Sequence, residues 1–415
     1  MTSTPLASTS IPVLSMPDLN VTDPLFKANP FPIYAKLRAE APVFQVHGVR
    51  PHGKAWLVTR YEDVSALFKD ARFAKDRKNA MTPEQYKKAR KLPAMFKALE
   101  MGLLGIDDPN HARLRNLIHK AFTPRMIEQM RDDVQTVASG LLDKIERKGT
   151  ADLITDYAAP LPLTMIGRIL GMPPQDNDKF YRWTKTFVNA GSNSMLVLVP
   201  TLLRFMSYLR GLIKERRARP KDDLISAMVL AREGADQMTD DEVLAMIFLL
   251  LSAGHETTVN LIGTGTLALL EHPDQMTKLR NEPQLAKTAI EELVRYVCPV
   301  EMATERYGRE DVTIAGTTIP RGELVLGVIG SANRDASAFT NPDVLDITRE
   351  NNKHLAFGLG AHYCIGAPLA RLEGQIGIPA LLARFPNLRL GVAPDQLKWR
   401  GTFIVRGLEK LPVTV

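Results

Sequence analysis

Residues 239–270 restrict what this chain can fold into more than any other stretch of it. Thr239-Asp-Asp-Glu242 has the form of a capping box, in which the Thr hydroxyl and the Glu carboxylate satisfy the first free N–H groups of a helix. Apolar residues then recur at helical spacing through Leu244, Ile247, Phe248 and Leu251, and the pattern runs on to about Leu270. At about 1.5 Å per residue such a helix is ~45 Å long. It crosses the whole molecule, so the remaining elements must pack around it. Its middle breaks the apolar rule: Gly254, Glu256, Thr257 and Thr258 stand where a core helix carries Leu or Ala. A hydroxyl beside a carboxylate in a dry site holds water and relays protons. A kink with a satisfied polar pair is the structural alternative.

A second feature lies near the C-terminus. Gly358, Gly360 and Gly366 surround Cys364, and helical spacing resumes through Leu369, Leu372 and Ile376. The glycines let the backbone bend tightly and approach a bound group. Cys364 therefore precedes a helix N-terminus, where free N–H groups favour a thiolate. Such a thiolate serves as a nucleophile, for which His362 is the available base, or as a metal ligand. With one sulfur and no clustered partner ligands, haem iron is the natural metal. The chain has only two cysteines, so no disulfide framework holds it and a reducing compartment is expected. The other, Cys298, reads as a core thiol.

The pattern Phe357-x-x-Gly360-x-x-x-Cys364-x-Gly366 resembles the haem-binding loop of the cytochrome P450 family. Ala253-Gly254-His255-Glu256-Thr257-Thr258 resembles the oxygen-activation motif on that family's long central helix. The resemblance implies haem b with Cys364 as the axial ligand to iron, the long helix lying over the haem. Phe357, Gly358, Gly366 and Ala253 would contact the cofactor. Thr257 would hydrogen-bond the bound oxygen, and Glu256 would gate the supply of protons. His111 and Arg115, four apart on one helix face, match a pair that holds haem propionates; Arg306 and His354 match further propionate contacts. Glu292 and Arg295 match a Glu-x-x-Arg pair with a structural role. By position in the family, the substrate pocket takes Leu249, Ser252, Ala253, Met302, Ala303, Phe403 and Ile404, an apolar lining suited to a hydrophobic small molecule.

The implied reaction is monooxygenation, a hydroxylation or epoxidation. Its two electrons would come from NAD(P)H through a separate ferredoxin or flavodoxin-type donor. A basic face carrying Arg113 and Lys120 is the expected docking side. A peroxide-driven hydroxylase or a haem isomerase would have no use for the Glu256–Thr257 pair. A haem sensor or nucleic-acid module is raised only by the net charge of +7 and a pI of about 9.2, and no nucleic-acid partner is expected.

Elsewhere, a short β region begins near Val43 and includes residues 55–59. Helices dominate from about Tyr61 to Tyr296, with Asp108 as N-cap and Pro109 as first residue of the His111 helix. A hairpin over 311–319 turns at Ala315-Gly316, a strand follows from Leu324, and strands around 403–405 and 411–414 close the chain. The expected fold is mainly α with a minor β portion (α+β). Residues 1–20 read as a disordered lead and 21–415 as one domain. Neither a secretory signal nor a membrane span is expected, since the apolar run 243–254 is shorter than the roughly 18 residues that a span needs. A cytoplasmic monomer is the expectation.

Overall fold

The computed structural model describes residues 19–49, 53–89, 101–176, 195–233 and 236–415, together with 179–180, 182–183 and 186. Residues 1–18 of the expected lead lie outside these. The long helix forms as its sequence requires, over Asp240–Glu271, with both halves of the Thr239–Glu242 capping box made. Around it pack Pro160–Ile169, Ala286–Val297 and Ala367–Arg384, and Arg131–Lys148 packs on the last of these. The larger of two apolar clusters occupies the space between them. By length and composition, Leu196–Ala218 and Asp240–Glu271 are each apolar enough to cross a membrane. The second runs through the core, and most of its apolar residues are buried against neighbouring helices.

The β portion is small. Its main sheet has five strands in the order Val43–Val49, Gly53–Val58, Leu324–Gly327, Arg306–Gly308 and Phe73–Ala74. Gly53–Val58 and Leu324–Gly327 run parallel, and the other pairs are antiparallel. The hairpin Val312–Ile314/Thr317–Ile319 turns at Ala315 and Gly316, both with positive φ, as expected. A second apolar cluster, including Phe26, Tyr34, Leu37, Leu57 and Met302, fills the space under the main sheet.

Three expectations change. No strand spans 403–405; Val405 makes only an isolated bridge to Val300. The helical stretch from Tyr61 to Tyr296 is interrupted by the strands Phe73–Ala74 and Thr150–Asp152 and the hairpin Arg232–Glu233/Asp236–Gln237. Two or three residues are too few to show alternation, so only their pairing reveals them. The His111 helix starts at Asn110, not at Pro109. Asp108 still accepts a hydrogen bond from Ala112 N (3.0 Å), one residue further along than an N-cap at 108 would.

Glu292 and Arg295 are completely buried. Arg295 donates from Nε and Nη2 to the two oxygens of Glu292, both at 2.8 Å, and also to the carbonyls of Asn333, Pro342 and Val344. The carboxylate further accepts from Arg349 Nε, Asn352 Nδ2 and Asp346 N. A buried ion pair is tolerable only when its remaining donors and acceptors are filled in this way. Arg295→Ala leaves the Glu292 charge unpaired and should cost about 3–5 kcal/mol, read from the urea midpoint. A loss below about 1 kcal/mol would instead mark a pair screened by water.

Candidate active site

A cavity of about 540 Å³ lies between the long helix and the loop that carries Cys364. On the loop side, Gly358 and Gly360 adopt φ of 72° and 74°, a conformation that suits glycine. A Cβ on Gly360 would also come within 3.2 Å of Phe68 O. Cys364 N donates to Phe357 O (2.8 Å), which closes the turn and presents the thiol. Cys364 is exposed, and it is exposed to the cavity. The N–H groups of Gly366 and Ala367, at the start of the following helix, point at its sulfur and favour the thiolate. Burial acts the other way and outweighs them, so the thiol stays above its usual range. The helix N-terminus alone does not make a thiolate here. Phe357 lies against the Arg371 guanidinium (4.3 Å), which is itself paired with Glu291.

Opposite stands the irregular middle of the long helix. Ser252 and Ala253 are exposed within a core helix because they face the cavity, as do Gly254, Glu256, Thr257 and Thr258. Thr257 Oγ1 donates to Ala253 O (2.8 Å) and Thr258 Oγ1 to Gly254 O (3.3 Å). Glu256 Oε1 accepts from Arg400 Nη1 at 3.2 Å. Burial raises the Glu256 pKa, and the Arg400 charge opposes that rise in part. His255 points out of the cavity, its Nε2 at 3.2 Å from Ala159 O.

A third wall is cationic. His111, Arg115, Arg306 and His362 converge at one end of the cavity. The rings of His111 and His362 lie 4.1 Å apart. Arg306 stacks on Phe68 (4.6 Å), and burial brings its pKa down to about 10. Burial, together with Lys75, His111, Arg306 and Arg115, lowers His362 to about 3. His111 Nε2 is buried without a hydrogen-bond partner. Among the described residues the acids lining the cavity are Glu256 and Glu373; at the cationic end Asp108 stands behind His111, its Oδ1 3.6 Å from Nδ1, and does not line the cavity.

Several sequence-based assignments need correction. His354 does not line the cavity; it is buried, with Nε2 on Glu291 Oε2 (3.1 Å). His362, read from sequence only as a possible base, occupies the cationic end instead. Met302 is fully buried in the second apolar cluster and is no pocket residue. It alternates with Ala303, which does face the cavity along with Leu249, Ser252, Ala253, Phe403 and Ile404. On the expected basic face, Arg113 pairs with Glu242 and Asp236, while Lys120 is exposed and its Nζ donates to Arg232 O. Both reach across to the turn that precedes the long helix.

Glu373 was missed altogether. It is completely buried, Oε1 has no partner, and burial lifts its pKa to about 8 despite a hydrogen bond with Thr258. Its signal was available: a lone carboxylate on a helix face otherwise made of Leu369, Leu372 and Ile376.

A free thiol on one wall, Arg115 and Arg306 with two histidines at one end and an apolar remainder fit haem, whose iron takes a thiolate and whose edge carries two carboxylates. The cytochrome P450 sequence profile matches residues 198–400. The polyketide biosynthesis cytochrome P450 PksS of Bacillus subtilis is 44% identical over 392 residues, covering 94% of this chain and 96% of that protein. The solved structure of PksS superposes with a TM-score of 0.88 at 42% identity, covering 95% of this chain and 98% of that one. P450BioI, solved in complex with an acyl carrier protein bearing hexadec-9Z-enoic acid, gives a TM-score of 0.83 at 38% identity, covering 94% and 99%. The chain belongs to the cytochrome P450 family and is a P450 monooxygenase.

His255 provides a pH test of this packing. Burial lowers its pKa to about 4, whereas an unfolded His titrates near ~6.5. Its stabilising contribution is therefore present above about pH 6.5 and is lost as pH falls toward the folded value. The urea midpoint should decline from pH 7 to 4.5, and less steeply in His255→Gln. Equal slopes would show that the ring is solvated.

Proposed function

We propose that this monooxygenase inserts one oxygen atom into a C–H or C=C bond of a long, hydrophobic acyl or polyketide-like chain. Its electrons would come from NAD(P)H through a separate ferredoxin or flavodoxin-type protein. For a hydroxylation the balance is RH + O₂ + 2e⁻ + 2H⁺ → ROH + H₂O. The observation that carries the reading is the opposition of Cys364 to Glu256 and Thr257 across one cavity that, apart from its cationic end, is lined mostly by apolar side chains. The names of PksS and of the P450BioI complex support an acyl or polyketide substrate, as do Leu103, Leu104, Ile166, Ile169 and Leu170 on the cavity wall.

In this reading Cys364 binds the iron, while His111, Arg115, Arg306 and His362 hold the carboxylates. Bound haem supplies the reductive activation of O₂, which a thiolate ligand promotes. The chain's own residues position the substrate, exclude water and deliver protons. Glu256 holds a proton more readily than an exposed carboxylate does, because it is buried. Arg400 tempers that tendency, so the proton can also leave. Thr257 Oγ1 donates to Ala253 O and can turn into the cavity, where it would relay one of the two protons that the water product requires. Glu373, beside Thr258, holds a second proton near neutral pH. Leu249, Ala303, Phe403 and Ile404 keep the site dry and align the chain.

Reduced protein with carbon monoxide should give the strongly red-shifted Soret band of a thiolate-ligated haem. Cys298→Ser should keep that band and Cys364→Ser should lose it; the reverse result would move the ligand to Cys298. Thr257→Ala should retain NADPH oxidation with a donor system while diverting most of it from product to peroxide. Unchanged coupling would remove Thr257 from proton delivery. Long-chain fatty acids, free or as carrier-protein thioesters, should shift the Soret band of the oxidised enzyme. No shift with any acyl chain, against a clear shift with a compact terpenoid or steroid, would overturn the substrate class.

A further inference from the structure

The two arms of the cationic end come from distant parts of the chain. Arg306 opens the strand Arg306–Gly308, while His111 and Arg115 ride on the helix Asn110–Ala121. Beyond its stacking on Phe68, the Arg306 side chain makes one long hydrogen bond, from Nη1 to Thr304 O at 3.4 Å. Its position therefore depends on how the main chain just before it is fixed.

That main chain is held by Lys75. The strand Phe73–Ala74 pairs with Arg306–Gly308 and stops at Ala74. The next residue turns its amine inward, where Nζ donates to Thr304 O (3.1 Å), Thr304 Oγ1 and Glu305 O (3.0 Å). An ammonium has three donors, and all three are used. The other end of the same residue reaches the opposite arm. Lys75 N donates to Asp107 Oδ1 (2.8 Å), and Asp76 N and Asn79 Nδ2 donate to Oδ2. Asp107 O accepts from His111 N at 3.0 Å, so Asp107 anchors the first turn of the helix that carries His111 and Arg115.

We propose that Lys75 is the positioning residue of the carboxylate clamp, its amine fixing the Arg306 arm and its main chain, through Asp107, fixing the His111–Arg115 arm. The spacing of the two arms is thereby set before the cofactor arrives. Burial pushes the amine well below its usual pKa, and the nearby Arg306 charge adds to this. A purely structural position at this depth would favour an apolar side chain. An apolar side chain here, however, would remove the hydrogen bonds that the amine gives to Thr304 O, Thr304 Oγ1 and Glu305 O.

This inference rests on the reading that the cationic end holds haem carboxylates. The test is the rate at which haem leaves the holoenzyme for excess apomyoglobin, alongside the reduction potential and the urea midpoint. Lys75→Met should lose haem about tenfold faster, the equivalent of ~1.4 kcal/mol, and its potential should fall as a positive charge is removed. Lys75→Arg should recover most of both. In an Arg306→Met background, Lys75→Met should add less than about twofold, because residues that act through one another are not additive. A wild-type rate in Lys75→Met, or full additivity with Arg306→Met, overturns the proposal. Should Lys75→Met not fold, Asp107→Asn takes its place, with a smaller rise and the same non-additivity expected and a wild-type rate overturning it. A wild-type protein that takes up no haem would defeat the site reading itself; one that keeps haem equally well with and without Lys75 defeats only this inference.

Discussion

The Glu292–Arg295 pair has no contact with the cavity, yet the cavity depends on it. Its hydrogen bonds gather Asn333, Pro342, Val344, Asp346, Arg349 and Asn352, the irregular chain that leads into the Cys364 loop. That chain has almost no regular secondary structure to hold it. Asn333 extends the hold further, its side-chain oxygen accepting from Leu355 N two residues before Phe357. The ion pair is costly to bury, and the carbonyls and amides it satisfies repay that cost. With this segment fixed, Cys364 is held at a set distance from the long helix.

Charge around the cavity is segregated. Glu256 and Glu373 lie by the long helix, where burial favours their protonated forms. His111, Arg115, Arg306 and His362 stand together at the other end, where burial lowers Arg306 and burial with nearby positive charge lowers the two histidines. Neither group neutralises the other. This separation fits the proposed use of the acids as proton carriers and of the cationic end as a carboxylate clamp. Such an arrangement is unfavourable in the protein alone, and a dianionic cofactor relieves it.

Much of the site was legible in the sequence where its chemistry is written in neighbouring residues. The Cys364 loop, the break at Gly254–Thr258 and the spacing of His111 and Arg115 are each local patterns, and each does line the cavity. The errors fell where two adjacent or similar residues compete for one place. His354 and His362 flank the same glycine loop, and only the fold shows that Glu291 takes the first while the second faces Arg306 and Arg115. Met302 and Ala303 differ by one position and point to opposite cores.

By itself, then, the sequence determined the long helix with its cap, the glycine-hinged thiol, the polar break opposite it and, through the resemblance these carry, the family. Helix capping, turn conformation and hydrophobic period act over a few residues and need no knowledge of the rest of the chain. Tertiary structure alone decided which cations converge, that Arg113 and Lys120 are tied to the approach of the long helix, that Glu373 is a buried acid, and that burial outweighs the helix N-terminus at Cys364. Each of these is a through-space balance of desolvation against charge. Lys75 meets Thr304 across 229 residues of chain, and no local pattern carries that distance.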